Sequence, residues 1–182
     1  MRIPKKRWTA LLALLAGLIL CGKAAAADGS SFEPMPGVAA ASFAPYRLSC
    51  TLVNPLPGAE LTDGYGWRYH PITGSLDFHY GNDLAAPSGT EIYAAAGGTV
   101  VTAGEHDSYG NYLVIQHSGT LRTLYAHCQS LLVSAGDTVS AGDVVALVGA
   151  TGEATGPHLH FEVIASGTRF SPDWVQFAGE GG

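Results

Sequence analysis

The pattern of apolar and polar positions changes every few residues along most of the chain. Short apolar runs are separated by glycine, aspartate, serine and asparagine, and no stretch beyond residue 51 keeps apolar residues at helical spacing. Runs of this length bounded by turn-forming residues are typical of strands in a sandwich or barrel. We therefore predict an all-β fold built as an antiparallel sandwich. The clearest predicted strands are 91–96, 98–104, 112–117, 123–127, 143–149 and 158–164.

A short internal echo supports this interpretation. The stretch "AGDTV" at 135–139 is followed by "AGDVV" at 141–145, which indicates two successive turns that enter strands. These two turn sequences, together with "GGTVVTAG" at 97–104, resemble sequence stretches of biotinyl and lipoyl carrier domains, which fold as a small hybrid β-sandwich. Carrier domains need a lysine at a hairpin tip, and residues 28–182 contain none. The carrier function is therefore excluded, and the barrel-sandwich hybrid architecture remains an expectation.

The N-terminus has the features of an export signal. A basic head, "MRIPKKRW", precedes the apolar run "TALLALLAGLIL" and the small residues "AAAA". The apolar run is shorter than the ~20 residues that span a bilayer. Lipid modification at Cys21 and an uncleaved N-terminal anchor are the alternatives. The predicted organisation is a signal peptide at 1–27, a linker at 28–50, a domain at 51–178 and a tail at 179–182.

The net charge becomes strongly negative once the predicted signal peptide is excluded. Residues 28–182 hold four arginines, no lysine and fifteen acidic residues, a formal net charge of −11. Such a chain has no general attraction for nucleic acid phosphates or anionic lipid. We expect no nucleic acid partner, no stable membrane insertion after cleavage, and a single monomeric domain. Cys50 and Cys128 remain as a disulfide or as two free thiols.

The candidate chemistry begins with "GPHLHFEV" at 156–163. In a strand, His158 and His160 point to the same side while the leucine between them points to the other. Two imidazoles on one face can bind a metal together, or one can bind it while the other moves protons. The alternative is a pair of half-exposed histidines on a solvent face.

A second element, "FHYGND", places His79 and Asp83 around a glycine that permits a tight turn. With one histidine of the 158/160 pair, they provide the three nitrogen and oxygen ligands that a catalytic zinc uses. Strand alternation places His127 of "TLYAH" on the side of Tyr125, where it can face a cleft. His127 and the spare histidine could take the proton of the attacking water and stabilise the tetrahedral intermediate. The number of histidines alone does not show which of them binds the metal and which of them moves the proton.

The motifs "HYGND", "LYAH" and "HLH", in this order, resemble the lysostaphin-type zinc metallopeptidases, which cleave peptide bonds in the bacterial wall. The resemblance covers about residues 54–177. It implies that His79, Asp83 and His160 hold one Zn²⁺ and that His127 and His158 are catalytic. It also implies an exported or envelope-associated endopeptidase that hydrolyses peptidoglycan peptides through a metal-activated water. All five positions match the family pattern.

The alternative function on the same fold is a non-catalytic module that binds the wall or activates a partner. Arg68 and Asn111 are possible groove-lining residues, although a surface ion pair and a turn are the more economical explanations for them. Tyr125 is a third possible groove-lining residue, and a half-buried strand position explains it equally well. The remaining histidines lie outside the pattern, in a loop, a polar turn and a strand end: His70, His106 and His117. The family cleaves oligoglycine bridges in some members and direct D-amino acid cross-links in others, and the sequence does not distinguish these substrates.

Overall fold

The computed structural model describes residues 40–42, 51–174 and 177–178 of the 182-residue chain. Almost all of the regular structure in this part is β. The one helical element among the described residues is a short 3-10 turn, Pro172–Trp174. The strands are β1 (Ala40–Ser42), β2 (Leu52–Val53), β3 (Glu60–Asp63), β4 (Gly66–Tyr69), β5 (Leu76–His79), β6 (Asn82–Ala85), β7 (Glu91–Tyr93), β8 (Gly98–His106), β9 (Gly110–Gln116), β10 (Leu121–Leu131), β11 (Thr138–Val139), β12 (Val144–Val148), β13 (His158–Ala165), β14 (Thr168–Phe170) and β15 (Phe177–Ala178).

One large sheet of eleven strands organises the domain. Its main path runs β1-β14-β13-β10-β9-β8-β11, while β12 pairs with β10 and β7, and β6 pairs with β13 and β3. The hairpin of β4 and β5 forms a separate small sheet, and β15 and β2 form another. Most pairs are antiparallel, with β1–β14 and β15–β2 as parallel exceptions. The all-β prediction is confirmed.

The central strands β10 and β13 are covered on both faces, so residues 123–128 and 159–165 are buried without interruption, polar side chains included. Leu159, Phe161 and Val163 of β13 belong to the main core. Leu124 and Ala126 of β10 belong to a smaller cluster on the other face. A strand between two apolar layers is held firmly, and both β10 and β13 carry histidines of the candidate site.

All six predicted strands are present. The first ends at Tyr93, because the following alanines are buried in the core without joining a strand. The polar strands β3, β4 and β6 were not predicted, because sequences such as "ELTD" and "NDLA" lack the apolar alternation that marks a strand.

The repeated "AGD" motifs form two turns of the same construction. In each, a serine N–H donates to the side chain of the aspartate three residues later, at 2.8 Å for Ser134 and Asp137 and 2.7 Å for Ser140 and Asp143. The intervening Gly136 and Gly142 have φ of 97° and 84°, a conformation that glycine adopts without steric cost. The turns lead into β11 and β12, as the sequence predicts.

The proposed signal peptide and Cys50 lie outside the described residues. Three residues of the predicted linker, Ala40–Ser42, form β1 and pair with Thr168–Phe170 of β14. The domain boundaries therefore remain predictions. Among the described residues, no helix has the length and apolar character needed to cross a membrane.

Candidate metal centre and active site

Three side chains with metal-ligating atoms converge where β5, β6 and β13 meet. His79 is the last residue of β5, Asp83 lies in β6, and His160 lies in β13. His79 Nε2 lies 3.0 Å from His160 Nδ1 and 3.1 Å from Asp83 Oδ1. His160 Nδ1 lies 2.8 Å from the same carboxylate oxygen. The three atoms form a compact triangle at the base of a cleft.

Strand pairing sets these positions. β13 runs antiparallel to β6, with His160 directly opposite Asp83. Alternation in β13 sends Leu159 and Phe161 into the core, so His158 and His160 share the opposite face. The prediction that the two histidines point the same way is therefore confirmed.

Gly81, between His79 and Asp83, serves the site in a way that the sequence analysis did not anticipate. Its φ does not fall in the left-handed region, so a tight turn is not the reason for glycine there. A Cβ at this position would lie 2.4 Å from the backbone oxygen of Phe161 and 3.0 Å from Cε1 of His160. Glycine therefore allows the segment that joins the two ligands to pass close against β13.

Hydrogen bonds fix the tautomers of His79 and His160, the two histidines that could ligate a metal. His79 Nδ1 lies 2.9 Å from the backbone oxygen of Gly64, which can only accept, so this nitrogen carries the proton. His160 Nε2 lies 3.1 Å from a carboxylate oxygen of Glu162 and carries the proton by the same reasoning. The other nitrogen of each ring, which faces Asp83, then presents a lone pair.

Two imidazole lone pairs and a carboxylate oxygen thus point at one another across about 3 Å. This arrangement needs a cation at its centre. Tetrahedral zinc sites use such ligands at about 2.0–2.2 Å, which separates neighbouring ligand atoms by roughly 3.3–3.6 Å. The donor set His79, Asp83 and His160 fits Zn²⁺.

The pKa shifts of Asp83 and His160 are also those of a site that holds a positive charge. Burial would raise the pKa of Asp83, but when the two rings are protonated in place of a metal, hydrogen bonds from His160 and His79 outweigh burial and hold that pKa well below its usual range. Burial would lower the pKa of His160, but the carboxylates of Asp83 and Glu162 outweigh it and raise that pKa to about 9. Without a metal, a proton on His160 provides the positive charge that the site requires.

His127 reaches the cleft because the backbone of β10 departs from regular alternation. The register with β9 shifts between Tyr125 and Cys128, and His127 has φ of 60°, a left-handed conformation uncommon for a residue other than glycine. Tyr125 and Cys128 both enter the main core, whereas His127 turns to the opposite face. The prediction that His127 shares a face with Tyr125 is therefore wrong, although His127 does line the cleft.

Hydrogen bonds hold His127 in this strained position. Its backbone N–H donates to the oxygen of Tyr109 at 2.8 Å. Its Nδ1–H donates to the oxygen of Thr151 at 2.8 Å, so Nε2 keeps a lone pair. Burial first, then the charge on His160, lowers the pKa of His127 to about 4.

His158 lies beside His127 and is oriented in the same manner. Its Nδ1–H donates to the oxygen of Gly156 at 2.8 Å, and its Nε2 lies 3.8 Å from Asp83 Oδ1. The ring centroids of His127 and His158 are 4.7 Å apart. The two imidazoles therefore lie next to the candidate ligands, each fixed by a backbone carbonyl at the nitrogen away from the cleft.

The cleft continues past the histidines as an open groove. One cavity contains the candidate metal ligands together with His127 and His158, and a second extends from it toward Thr62 and Ala85. The two cavities share five lining residues and so form one channel across the site. The shared residues are Arg68, Pro71, Asp83, Thr155 and His158.

The three possible groove-lining residues have different positions. Arg68 does line the groove, where its guanidinium pairs with Asp63 and lies 3.7 Å from Asp83 Oδ2. Asn111 lines neither cavity; its amide donates to the backbone oxygens of Cys128 and Gln129 and so supports the irregular part of β10.

The groove-lining role of Tyr125 is wrong, because its side chain is fully buried in the core. Its hydroxyl accepts the N–H of Ala95 at 2.8 Å, and its ring packs against Phe161 with centroids 5.3 Å apart. Cys128 is a buried free thiol in the same core, and burial raises its pKa to about 12.

The three histidines outside the motif make hydrogen bonds within their own turns or in the protein interior. His70 lies beside the groove and accepts two N–H groups of its own turn. His106 accepts the N–H groups of Ser108 and Tyr109. His117 is buried between the backbone oxygen of Gly97 and the hydroxyl of Thr123.

A buried polar group lies behind His160 and was not predicted; it consists of Glu162, Tyr109 and Arg169. The signal for Glu162 was available, because an acidic residue at the next alternate position of "HLHFE" must share the face of the two histidines. Tyr109 and Arg169 come from a turn and from β14, and nothing in their local sequence indicates this role.

Comparison with known proteins gives a consistent result. The family model described as Peptidase family M23 matches residues 77–172, a span that contains the five histidine and aspartate residues of the site. Among curated proteins, the chain is similar to the peptidoglycan DD-endopeptidase ShyB of Vibrio cholerae, at 44% identity over 106 residues. That match covers 58% of this chain and 25% of ShyB, so the chain corresponds to about a quarter of that relative's length.

Two solved structures also resemble this fold. A zinc containing peptidase from Vibrio cholerae superimposes with a TM-score of 0.63 at 38% identity, covering 67% of this chain and 39% of the other. The catalytic domain of the antimicrobial peptidase lysostaphin from Staphylococcus simulans gives a TM-score of 0.55 at 34% identity, covering 59% of this chain and 80% of the other.

Proposed function

This chain belongs to peptidase family M23, and from that premise we propose that it is a zinc-dependent endopeptidase that hydrolyses peptide bonds in bacterial peptidoglycan. The observation that carries the proposal is the convergence of His79 Nε2, Asp83 Oδ1 and His160 Nδ1, with His127 and His158 beside them at the base of an open groove.

His79, Asp83 and His160 would hold the zinc ion. When bound, Zn²⁺ polarises a carbonyl group and lowers the pKa of a coordinated water towards ~7. The backbone oxygen of Gly64 orients the ring of His79 so that Nε2 faces the other two side chains. Asp83 also lies close to Arg68, whose positive charge favours the ionised carboxylate.

His127 and His158 would handle the proton of the attacking water. Each has its Nδ1–H bound to a backbone oxygen, which leaves Nε2 free to accept a proton. After accepting it, that imidazole has an N–H at Nε2 and can donate to the oxygen that gains charge or to the departing amine. The carbonyls of Thr151 and Gly156 hold both rings toward the cleft during this exchange.

The open groove suits an extended peptide. Arg68, Pro71 and Thr155 line it beside the candidate metal ligands. The similarity to ShyB supports a D,D-bond in a direct cross-link as the substrate, rather than an oligoglycine bridge. Export to the cell envelope, directed by residues 1–27, belongs to the same proposal.

The test is digestion of purified peptidoglycan with each type of cross-link, followed by mass spectrometry of the released muropeptides. We expect the wild-type protein to convert directly cross-linked dimers to monomers and to leave oligoglycine bridges intact. Asp83→Asn should be inactive, since it replaces a charged ligand. Glu105→Gln, which changes the charge equally at an exposed position of β8, should retain activity.

A wild-type protein that leaves both substrates uncut would contradict the enzymatic proposal and favour the wall-binding module. Cleavage of only the oligoglycine substrate would contradict the proposed specificity and leave the zinc peptidase mechanism in place.

A further inference from the structure

Glu162 is a buried carboxylate that the proposed reaction does not use. It lies two residues after His160 on the same face of β13, and its side chain is 0% exposed. A carboxylate removed from water in this way is costly unless its oxygens are fully hydrogen-bonded. The hydrogen-bond partners of the Glu162 carboxylate therefore indicate its role.

Three donors surround the Glu162 carboxylate. Oε1 accepts the hydroxyl of Tyr109 at 2.7 Å and lies 3.1 Å from His160 Nε2. Oε2 accepts Nε of Arg169 at 2.6 Å. Arg169 is itself nearly buried, and its guanidinium lies 4.9 Å from the centre of the Tyr80 ring. Both oxygens of Glu162 thus accept hydrogen bonds, as expected for an ionised carboxylate.

Stability alone is a poor explanation for this group. A buried ion pair often contributes no more to stability than apolar residues of similar volume, because desolvation offsets the attraction between the charges. The surrounding cluster contains apolar residues such as Leu124 and Ile164, so an apolar side chain would suit the location. The contact that distinguishes Glu162 is the one to His160.

We propose that Glu162 is a positioning residue that fixes the proton of His160 on Nε2 and thereby presents Nδ1 to the metal. An ionised carboxylate can only accept, so it selects the tautomer with the proton on the nitrogen that faces it. Arg169 and Tyr109 keep the carboxylate in place. The inference rests on the metal centre of the proposed function and is independent of hydrolysis.

Tyr109 extends the same network to the other side of the cleft. Its hydroxyl donates to Glu162, while its backbone oxygen accepts the N–H of His127. One residue thus supports both a metal ligand and the strained backbone of His127. Tyr109→Phe removes only the first contact and leaves the carboxylate, so we expect a smaller loss of zinc affinity than from a change at Glu162.

The decisive variant is Glu162→Gln. If Arg169 continues to donate to the side-chain oxygen, the amide NH₂ faces His160 Nε2 and favours the tautomer with the proton on Nδ1. That tautomer cannot offer Nδ1 to a metal. Zinc affinity, measured by competition with a chromogenic chelator, should fall about 10–100-fold. Glu162→Asp keeps the acceptor and should lose less.

Thr123→Val is the matched control for a buried polar change. Thr123 is fully buried and bonds to His117 and Tyr125, away from the metal ligands. We expect it to lower the midpoint of denaturation while zinc affinity stays at the wild-type value. A loss of affinity in Thr123→Val equal to that in Glu162→Gln would contradict a specific role for Glu162.

Nitrogen-15 NMR of the zinc-loaded wild-type protein provides a readout that does not depend on any variant. We expect His160 to carry its proton on Nε2 and to bind zinc through Nδ1; zinc on Nε2 would overturn the inference. Unchanged zinc affinity in Glu162→Gln would also overturn it. A wild-type protein that binds no zinc would instead overturn the metal centre of the proposed function.

Discussion

Replacement of Gly81 by alanine tests how closely the ligand-bearing segment must approach β13. The added Cβ would lie 2.4 Å from the backbone oxygen of Phe161, whereas real Cβ contacts essentially never fall below 3.0 Å. Something must therefore move by at least 0.6 Å. Phe161 pairs with Asn82 on one side and Tyr125 on the other, so β13 cannot easily yield.

The displacement should therefore fall on the segment between His79 and Asp83. Overpacking of this kind costs about 1–3 kcal/mol, which corresponds to a decrease of roughly 2–12 °C in melting temperature for a domain of this size. Because the segment carries two of the three ligands, zinc affinity should fall as well. A site that is about 1 Å too loose commonly loses its function.

The assay is urea denaturation of the zinc-free protein together with a zinc competition titration. Gly104→Ala is the matched control, because Gly104 is exposed in β8 and an added Cβ there meets nothing within 4 Å. We expect Gly104→Ala to behave like the wild type in both measurements. A Gly81→Ala variant that matches Gly104→Ala in stability and zinc affinity would refute the reasoning.

Two further predictions concern histidines with different tasks. His127→Ala and His158→Ala, each tested alone, should bind zinc like the wild type and lower the rate of muropeptide cleavage by about 10²-fold or more; loss of zinc from either variant would show that it is a ligand instead. Burial lowers the pKa of His117 below its ordinary 6.5, so the unfolded chain binds more protons and the wild type should lose stability as pH falls below about 6.5. His117→Gln should remove that part of the pH dependence, and identical pH–stability curves would contradict the assignment.

Sequence alone was sufficient where a regular strand also carries an apolar pattern or where a turn is completed by its own side chains. The pattern of "HLH" gave the shared face of His158 and His160, and the structure places Leu159 in the core as alternation requires. The paired "AGD" turns also follow from local chemistry, because serine, glycine and aspartate at this spacing complete the turn themselves.

The sequence was insufficient where the backbone departs from regular geometry. Alternation predicts a shared face for Tyr125 and His127, but the left-handed backbone at His127 separates them. That conformation depends on the N–H bond to Tyr109 and on the Asn111 amide, which come from other parts of the chain. No pattern within β10 contains this information.

Backbone oxygens provide the second kind of missing information. His79, His127 and His158 each donate Nδ1–H to a backbone carbonyl. Because every residue has such a carbonyl, the residue type does not indicate which one will accept the bond. These contacts decide which nitrogen faces the cleft. The sequence therefore predicts which residues form the site, whereas the tautomers that give the site its chemistry require the fold.

The most direct test of the central claim is a zinc titration of chelator-treated protein, followed by mass spectrometry of a directly cross-linked muropeptide dimer. We expect no cleavage in the metal-free protein and recovery of cleavage in proportion to added zinc, complete at one ion per chain. Asp83→Asn should not recover. Cleavage that is the same with and without zinc would contradict a metal centre formed by His79, Asp83 and His160.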